Sequence, residues 1–179
     1  MSRPSLADLM DYTGRNERRR KQRLVNRDTR EPGGRDHWTL TDIVLQGRGY
    51  TIDRHALRIG DYSWPLRPES ALHGAGYRET VIERKKLSDL RDVERLQNQL
   101  NRAYRAMVDE DSRMFFIVLI DYTADPDDPR AWTDEQILNA ELSIQLGGHF
   151  KVTRSGPGLL ADRIDSLYNY TQKNSHSIG

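Results

Sequence analysis

The chain of 179 residues contains no cysteine. Disulfides are excluded, and so are cysteine-ligated metal sites and a thiol nucleophile. No apolar run approaches the ~18 residues that a membrane-spanning helix requires. Residues 1–23 lack the apolar core of a secretory signal, so a soluble, intracellular, cytoplasmic protein with no membrane partner is expected. The five histidines are scattered and show no metal-ligand spacing. Neither an internal repeat nor a Walker-type phosphate loop occurs, so the chain shows no motor of its own. Net charge is only +1, which neither supports nor excludes a nucleic-acid partner. The length suits one domain with a full core.

Charge is uneven along the chain. Met1 to Arg23 holds seven Lys/Arg and three Asp/Glu, a net of +4, and the remainder holds twenty-one and twenty-four, a net of −3. Arg15, Arg18, Arg19, Arg20, Lys21 and Arg23 cluster ahead of the first expected strand. Six such side chains suit a salt-sensitive phosphate-binding arm. The plainer alternatives are a solvated tail, or a helix packing on a partner, as Leu6, Leu9 and Met10 hint. The division read here is a basic arm, 1–23, and a domain, 24–179.

Periodicity gives an α/β domain. Leu24 to Arg27, Tyr50 to Ile52, Leu57 to Ile59 and Phe150 to Thr153 read as short strands. Phe115 to Ile120 is an unbroken apolar run, as in a central strand buried on both faces. Trp38 to Leu45 reads as a helix ended by Gly47 and Gly49. Leu90, Val93, Leu96, Leu100, Ala103 and Met107 recur at helical spacing. Among them Arg91, Arg95, Arg102 and Arg105 read first as a solvated face. Thr133 and Gln136 form a capping box for a further helix, and Leu160, Ile164, Leu167 and Tyr168 mark the last one.

The chemistry concentrates between Gly60 and Asp89. Val81 and Ile82 favour a strand, and side chains alternate faces along a strand. Glu83 and Lys85 then share one face and Arg84 takes the other. Such a carboxylate suits a hard divalent cation, and the lysine suits developing negative charge. Asp61, after Gly60, would add a second carboxylate from a neighbouring strand; Mg²⁺ needs only one or two beside its waters and a substrate phosphate. Taken singly, each piece is weak: an acid and a lysine two apart often form a solvated ion pair, and Gly-Asp often marks a turn.

The joint pattern is more specific. Gly60-Asp61, a gap, Glu83-Arg84-Lys85, three residues and Asp89 resembles the G-D…E-R-K-x-x-x-D signature of XPF-type (xeroderma pigmentosum F) nuclease domains. Asp28-Thr29-Arg30-Glu31 resembles that family's D-T-R-E, and Arg95-Leu96-x-x-Gln99 its R-L-x-x-Q. The order is also the family's, and the resemblance spans about Leu24 to Thr171. It implies a PD-(D/E)XK architecture, a restriction-endonuclease-like central mixed β-sheet flanked by helices. It implies Asp61 and Glu83 as metal ligands, Lys85 as the catalytic lysine, and Asp28 at the edge of the site, reaching the metal through water. Arg30, Glu31, Arg84 and Asp89 match supporting positions. For Asp89 a helix-capping role is equally in keeping with its place in a first turn.

By resemblance the protein is a Mg²⁺- or Mn²⁺-dependent DNA endonuclease acting on branched or junction DNA, in repair, recombination or viral DNA processing. The resemblance also implies a homodimer formed through the nuclease domain, with the last two helices and Phe150 to Thr153 at the interface. Too few residues follow Tyr170 for a helix-hairpin-helix module. The rival readings are a non-catalytic DNA-binding scaffold subunit and a nuclease subunit active only within a larger DNA-processing complex. Ser63 to Thr80 is a long connection for the family, and its two prolines and two glycines make it a loop or an extended hairpin. It reads either as a surface insertion or as a substrate-facing flap in which Trp64, Arg67, His73, Tyr77 and Arg78 stack bases or hold phosphate.

Overall fold

The structure, a computed structural model, describes residues 23–30, 39–108, 113–121, 132–148, 150–155 and 159–175. Of the basic arm only Arg23 falls within these bounds; Arg15, Arg18, Arg19, Arg20 and Lys21 lie outside the described residues, as does Glu31.

Among the described residues, six strands and five helices follow in the order β1 (Leu24–Asp28), α1 (Leu40–Gly47), β2 (Thr51–His55), β3 (Tyr62–Pro65), α2 (Ala71–Gly74), β4 (Glu79–Lys86), α3 (Val93–Val108), β5 (Met114–Asp121), α4 (Asp134–Gly148), β6 (Lys151–Arg154) and α5 (Leu160–Thr171). A 3₁₀ turn, Leu87–Arg91, links β4 to α3. The strands form one mixed sheet in the order β2-β1-β3-β4-β5-β6. β1 runs parallel to β2, and β4, β5 and β6 are mutually parallel. β3 is antiparallel to both β1 and β4 and so joins the two parallel halves. This is the mixed sheet flanked by helices that the motif implies.

Alternation along the strands sorts side chains into two cores. Val25, Trp64, Ile82, Ile117 and Leu119 point to one face, where Leu45 of α1 and Ile164 and Tyr168 of α5 cover them. Val81, Phe116, Val118 and Ile120 point to the other, against Leu96, Leu100 and Ala103 of α3 and Ile144 of α4. β5 is thus apolar on both sides, as its sequence predicts. Arg27 shares the first face and meets Asp42 of α1 at 2.7 Å, with both side chains buried. Asp42 also accepts from the Thr39 N–H at 2.9 Å, so one carboxylate both caps α1 and neutralises a buried guanidinium.

One expectation needs correction. Leu57 to Ile59 is not a strand; residues 58–61 form a bend, and the strand follows it as Tyr62–Pro65. For Ser63 to Thr80, read as a loop or an extended hairpin, the antiparallel pairing of β3 with β4 gives the hairpin. It holds β3, the single turn α2 and the start of β4. Its proline and glycine content hides a strand whose Trp64 is wholly buried and donates from Nε1 to Thr171 Oγ1 at 2.9 Å. Among the described residues, no helix is long and apolar enough to cross a membrane.

Candidate active site

The same alternation that builds the cores assembles the site. Glu83 and Lys85 follow Val81 on the α3 face of β4, at its carboxyl end. Asp28 ends β1 two residues beyond Asn26, whose side-chain amide reaches Ser63 Oγ at 3.2 Å. Asp61 lies two residues before Ser63 at the start of β3, which runs the opposite way. Because β3 is antiparallel to its neighbours, its beginning meets their ends. Asp28, Asp61, Glu83 and Lys85 therefore converge at one end and on one face of the sheet, in a cleft of ≈ 660 Å³.

Main-chain contacts fix this corner. Asp28 N–H donates to the Asp61 carbonyl at 2.9 Å, and Asp61 N–H donates to the Ile82 carbonyl at 2.7 Å. Gly60 makes the approach to β4 possible. Its φ is +79°, and a Cβ there would lie 2.4 Å from Val81 Cγ1 and 3.0 Å from the Ile82 carbonyl oxygen. Only glycine adopts that conformation so close to another strand without strain.

Asp28, Asp61, Glu83 and Lys85 each have a partner. Asp61 Oδ2 accepts from the Arg84 main-chain N–H at 2.5 Å. The Lys85 ammonium, buried in the cleft wall, donates to Glu83 Oε1. Glu83's second oxygen makes no hydrogen bond among the described residues. Asp28 accepts from Arg30 Nε at 2.8 Å and from its main-chain N–H at 3.0 Å. Burial alone would raise the Asp28 pKa; the hydrogen bonds and charge of Arg30 outweigh it and hold the carboxyl below its ordinary value. The exposed Arg30 guanidinium also senses Asp61 and Glu83, and its own pKa is raised. Arg84 points to the opposite face, where Nε donates to buried Asp121 Oδ2 at 2.8 Å, and Asp121 Oδ1 accepts from Ser155 Oγ at 3.2 Å.

Asp89 takes the capping role. Its carboxylate accepts from the Lys86 N–H at 3.1 Å, capping the 3₁₀ turn, and it lines the cleft. Across from the strands, α3 contributes Arg95, Gln99, Arg102 and Arg105 to the cleft, and the bend contributes Arg58. The sequence reading left Arg102 and Arg105 on a solvated face and did not mark Arg58. Helical spacing from Gln99 was the available signal for Arg102 and Arg105; nothing local marked Arg58. Arg91 instead lies 5.8 Å from the Trp132 ring.

Arg23, Arg67 and Arg78 are not brought to the site. They sit at the other end of the sheet, with Arg78 just before β4, so roughly 15 Å of strand separates them from Glu83 at ~3.3 Å per residue. Arg23 stacks 5.1 Å from the Tyr50 ring. Arg67 N–H donates to Gln172 Oε1 at 2.8 Å, and Arg78 Nη1 donates to the His73 and Tyr77 carbonyls at 3.3 and 3.2 Å. Tyr77 packs edge-on to Phe115, with ring centroids 5.3 Å apart. The structure thus places the side chains of the flap reading at the far end of the sheet from the cleft, with Trp64 wholly buried.

The donor set suits a hard cation. Asp61 and Glu83 offer oxygen only, at the margin of an open polar cleft, as Mg²⁺ or Mn²⁺ prefers. No group of three acids or histidines forms a metal cage among the described residues. Any cation there would rely on two carboxylates and water, with Asp28 held away by Arg30.

A mixed sheet with helices on both faces thus brings Asp61 beside Glu83 and Lys85 at the carboxyl end of the central strand β4. The chain belongs to the ERCC4 domain family, whose model matches residues 27–157, as the XPF-type motif implies. Two solved structures of XPF from Aeropyrum pernix share the fold, one of them in complex with DNA. They are 23% and 22% identical to this chain, with a TM-score of 0.53 for each. Each match covers 82% of this chain and 63% of the solved one. The chain thus spans less than two thirds of those proteins. No curated protein matches the sequence.

Proposed function

We propose that this domain hydrolyses phosphodiester bonds in DNA with the help of Mg²⁺ or Mn²⁺, and that its substrates are branched or junction DNA of the kind met in repair, recombination or viral DNA processing. The observation that carries the reading is the convergence of Asp61, Glu83 and Lys85 on one face of one cleft. The complex of similar XPF with DNA supports DNA as the partner. A homodimer formed through the same domain, alone or within a larger DNA-processing complex, completes the proposal.

Asp61 and Glu83 would hold the cation, and Asp28 would act through water at its edge. When bound, the cation polarises the scissile phosphate and lowers the pKa of its water. The chain supplies the rest. Lys85 exchanges its contact with Glu83 for the attacking water, orients it in line with the phosphorus, and stabilises charge on the phosphoryl oxygens. Burial strengthens that interaction by lowering the local dielectric. The Arg84 N–H holds the Asp61 carboxylate in one orientation, so the site is set before substrate arrives. Arg30 keeps Asp28 ionised.

The test is cleavage of flap, fork, four-way junction and linear DNA by purified protein, with Mg²⁺ or with chelator. Cleavage is expected only with metal, and Asp61→Ala and Lys85→Ala are expected to abolish it while leaving the thermal transition intact. A Lys85→Ala protein that cuts as fast as wild type overturns the mechanism. A folded wild type that binds DNA but cuts none of these substrates with either metal points to the scaffold reading.

A further inference from the structure

The flank of α3 beside the cleft carries more charge than the proposed chemistry uses. Arg95, Gln99, Arg102 and Arg105 follow at intervals of four, three and three residues, so they line one side of the helix. Ten residues of helix extend ~15 Å. The same four side chains line both the cleft and a second groove of ≈ 710 Å³ along α3. They form a ridge between two recesses. The three arginines are exposed. Several arginines elsewhere meet acids: Arg27 meets Asp42, Arg48 meets Asp162, Arg84 meets Asp121 and Arg154 meets Glu141. Arg95, Arg102 and Arg105 make no such pair among the described residues. This holds although residues 24–179 carry more acid than base. Arg102 and Arg105, one turn apart, repel each other, a small cost to the isolated helix. An anion lying along the ridge removes that cost.

We propose that the Arg102–Arg105 end of α3, continued by Gln99, is a phosphate track that carries the nucleic-acid backbone out of the cleft. This rests on the nuclease reading of the cleft. Guanidinium forks bind phosphate oxygens bidentately and Gln99 adds an amide donor. From Gln99 to Arg105 the helix extends ~9 Å, so at ~3.4 Å per step along one strand of duplex the track spans about three phosphates. Contacts to phosphate position the substrate without reading its sequence, as suits an enzyme that selects DNA by shape.

Binding of a short fluorescent duplex, and of one of its strands alone, is measured across a range of salt in chelator, where no cleavage interferes. Two double variants are compared with wild type: Arg102→Gln with Arg105→Gln, and Arg102→Lys with Arg105→Lys. Glutamine retains helix propensity at these exposed sites, and thermal melting confirms the fold. For the glutamine pair, the slope of log K against log salt should flatten by about 1.8 if duplex lies on the ridge, or about 1.4 if a single strand does. Between about 50 and 200 mM salt, wild type then loses about twelvefold more affinity for duplex than the variant does. The lysine pair should keep the wild-type slope. In the cleavage assay the glutamine pair should raise KM and leave kcat near wild type. An unchanged slope in the glutamine pair overturns the track, even if the wild type cuts DNA. A flattened slope in a protein that never cuts upholds the track and overturns the nuclease reading instead.

Discussion

Gly60 decides how close Asp61 comes to β4. Gly60→Ala places a methyl against Val81 Cγ1 and also forces a side chain into φ +79°. We expect a loss of about 1–3 kcal/mol in urea unfolding, from strain at a left-handed position. Cleavage should fall further than stability, because Asp61 moves with the turn. Asp121 acts on Asp61 from the opposite side of the sheet, through Arg84. Asp121→Ala removes the carboxylate that Arg84 donates to, and water partly screens the guanidinium, so about 1–3 kcal/mol is expected rather than the larger cost of a sealed ion pair. Asp28 gives a pH signature. Its folded pKa is depressed by Arg30, so its stabilising contribution is present above the unfolded value near 4 and is lost as pH falls through the folded value. The stability gap between wild type and Asp28→Asn should therefore be constant near neutrality and close in acid. A gap that persists at pH ~2 would show that shape, not charge, holds Arg30.

At the scale of elements, local pattern revealed some strands and missed others for a physical reason. β5 and α3 were legible because an unbroken apolar run and a helical repeat mark burial directly. β4 was legible from Val81 and Ile82, and the motif on it gave Asp61, Glu83 and Lys85. β3 was legible only as one arm of a loop or hairpin. Tyr62–Pro65 is a short strand ended by proline, and its burial comes from β1, β4 and α5, partners remote in sequence. Trp64 illustrates the difference. Read locally it is an aromatic in a loop, ready to stack on a base; in the fold it is sealed against Tyr168, with ring centroids 5.5 Å apart. Trp64→Ala should cost about 3–5 kcal/mol in chemical denaturation. Trp64→Phe should cost about 1 kcal/mol through the lost bond to Thr171. DNA affinity of the folded Trp64→Phe protein should match wild type, and a large loss would restore the flap. The cleft wall from α3 was only half legible for the same reason: periodicity shows that Arg102 and Arg105 are polar, but only tertiary packing shows that they border the site.

For the whole molecule, the surface away from the cleft offers a test of the proposed homodimer. Ile137 and Ile144 turn one side of α4 into the core. On another side Leu138, Leu142 and Leu146 follow at intervals of four, with 48, 41 and 75% exposure. Beside α4, β6 is the last strand of the sheet, and Arg154 of β6 is tied to Glu141 of α4. An apolar helix stripe next to a strand edge is a surface that water solvates poorly and a second copy covers well. It coincides with the region where the family resemblance places the homodimer. Burying a leucine contributes about 1.5–3 kcal/mol. Leu142→Glu with Leu146→Glu removes two such contributions and introduces charge, so dimer affinity should fall at least a hundredfold at 1.4 kcal/mol per tenfold. The positions are exposed in the single chain, so the variant should keep its circular dichroism and melting temperature. In sedimentation velocity the wild type should run as a dimer and the variant as a monomer at equal concentration. The site lies wholly within one chain, so the folded monomer should retain metal-dependent cleavage of simple substrates, while discrimination between junction and linear DNA should weaken. A wild type that remains monomeric at high concentration rules out this face as the dimer contact and leaves substrate choice to the α3 ridge or to a partner protein.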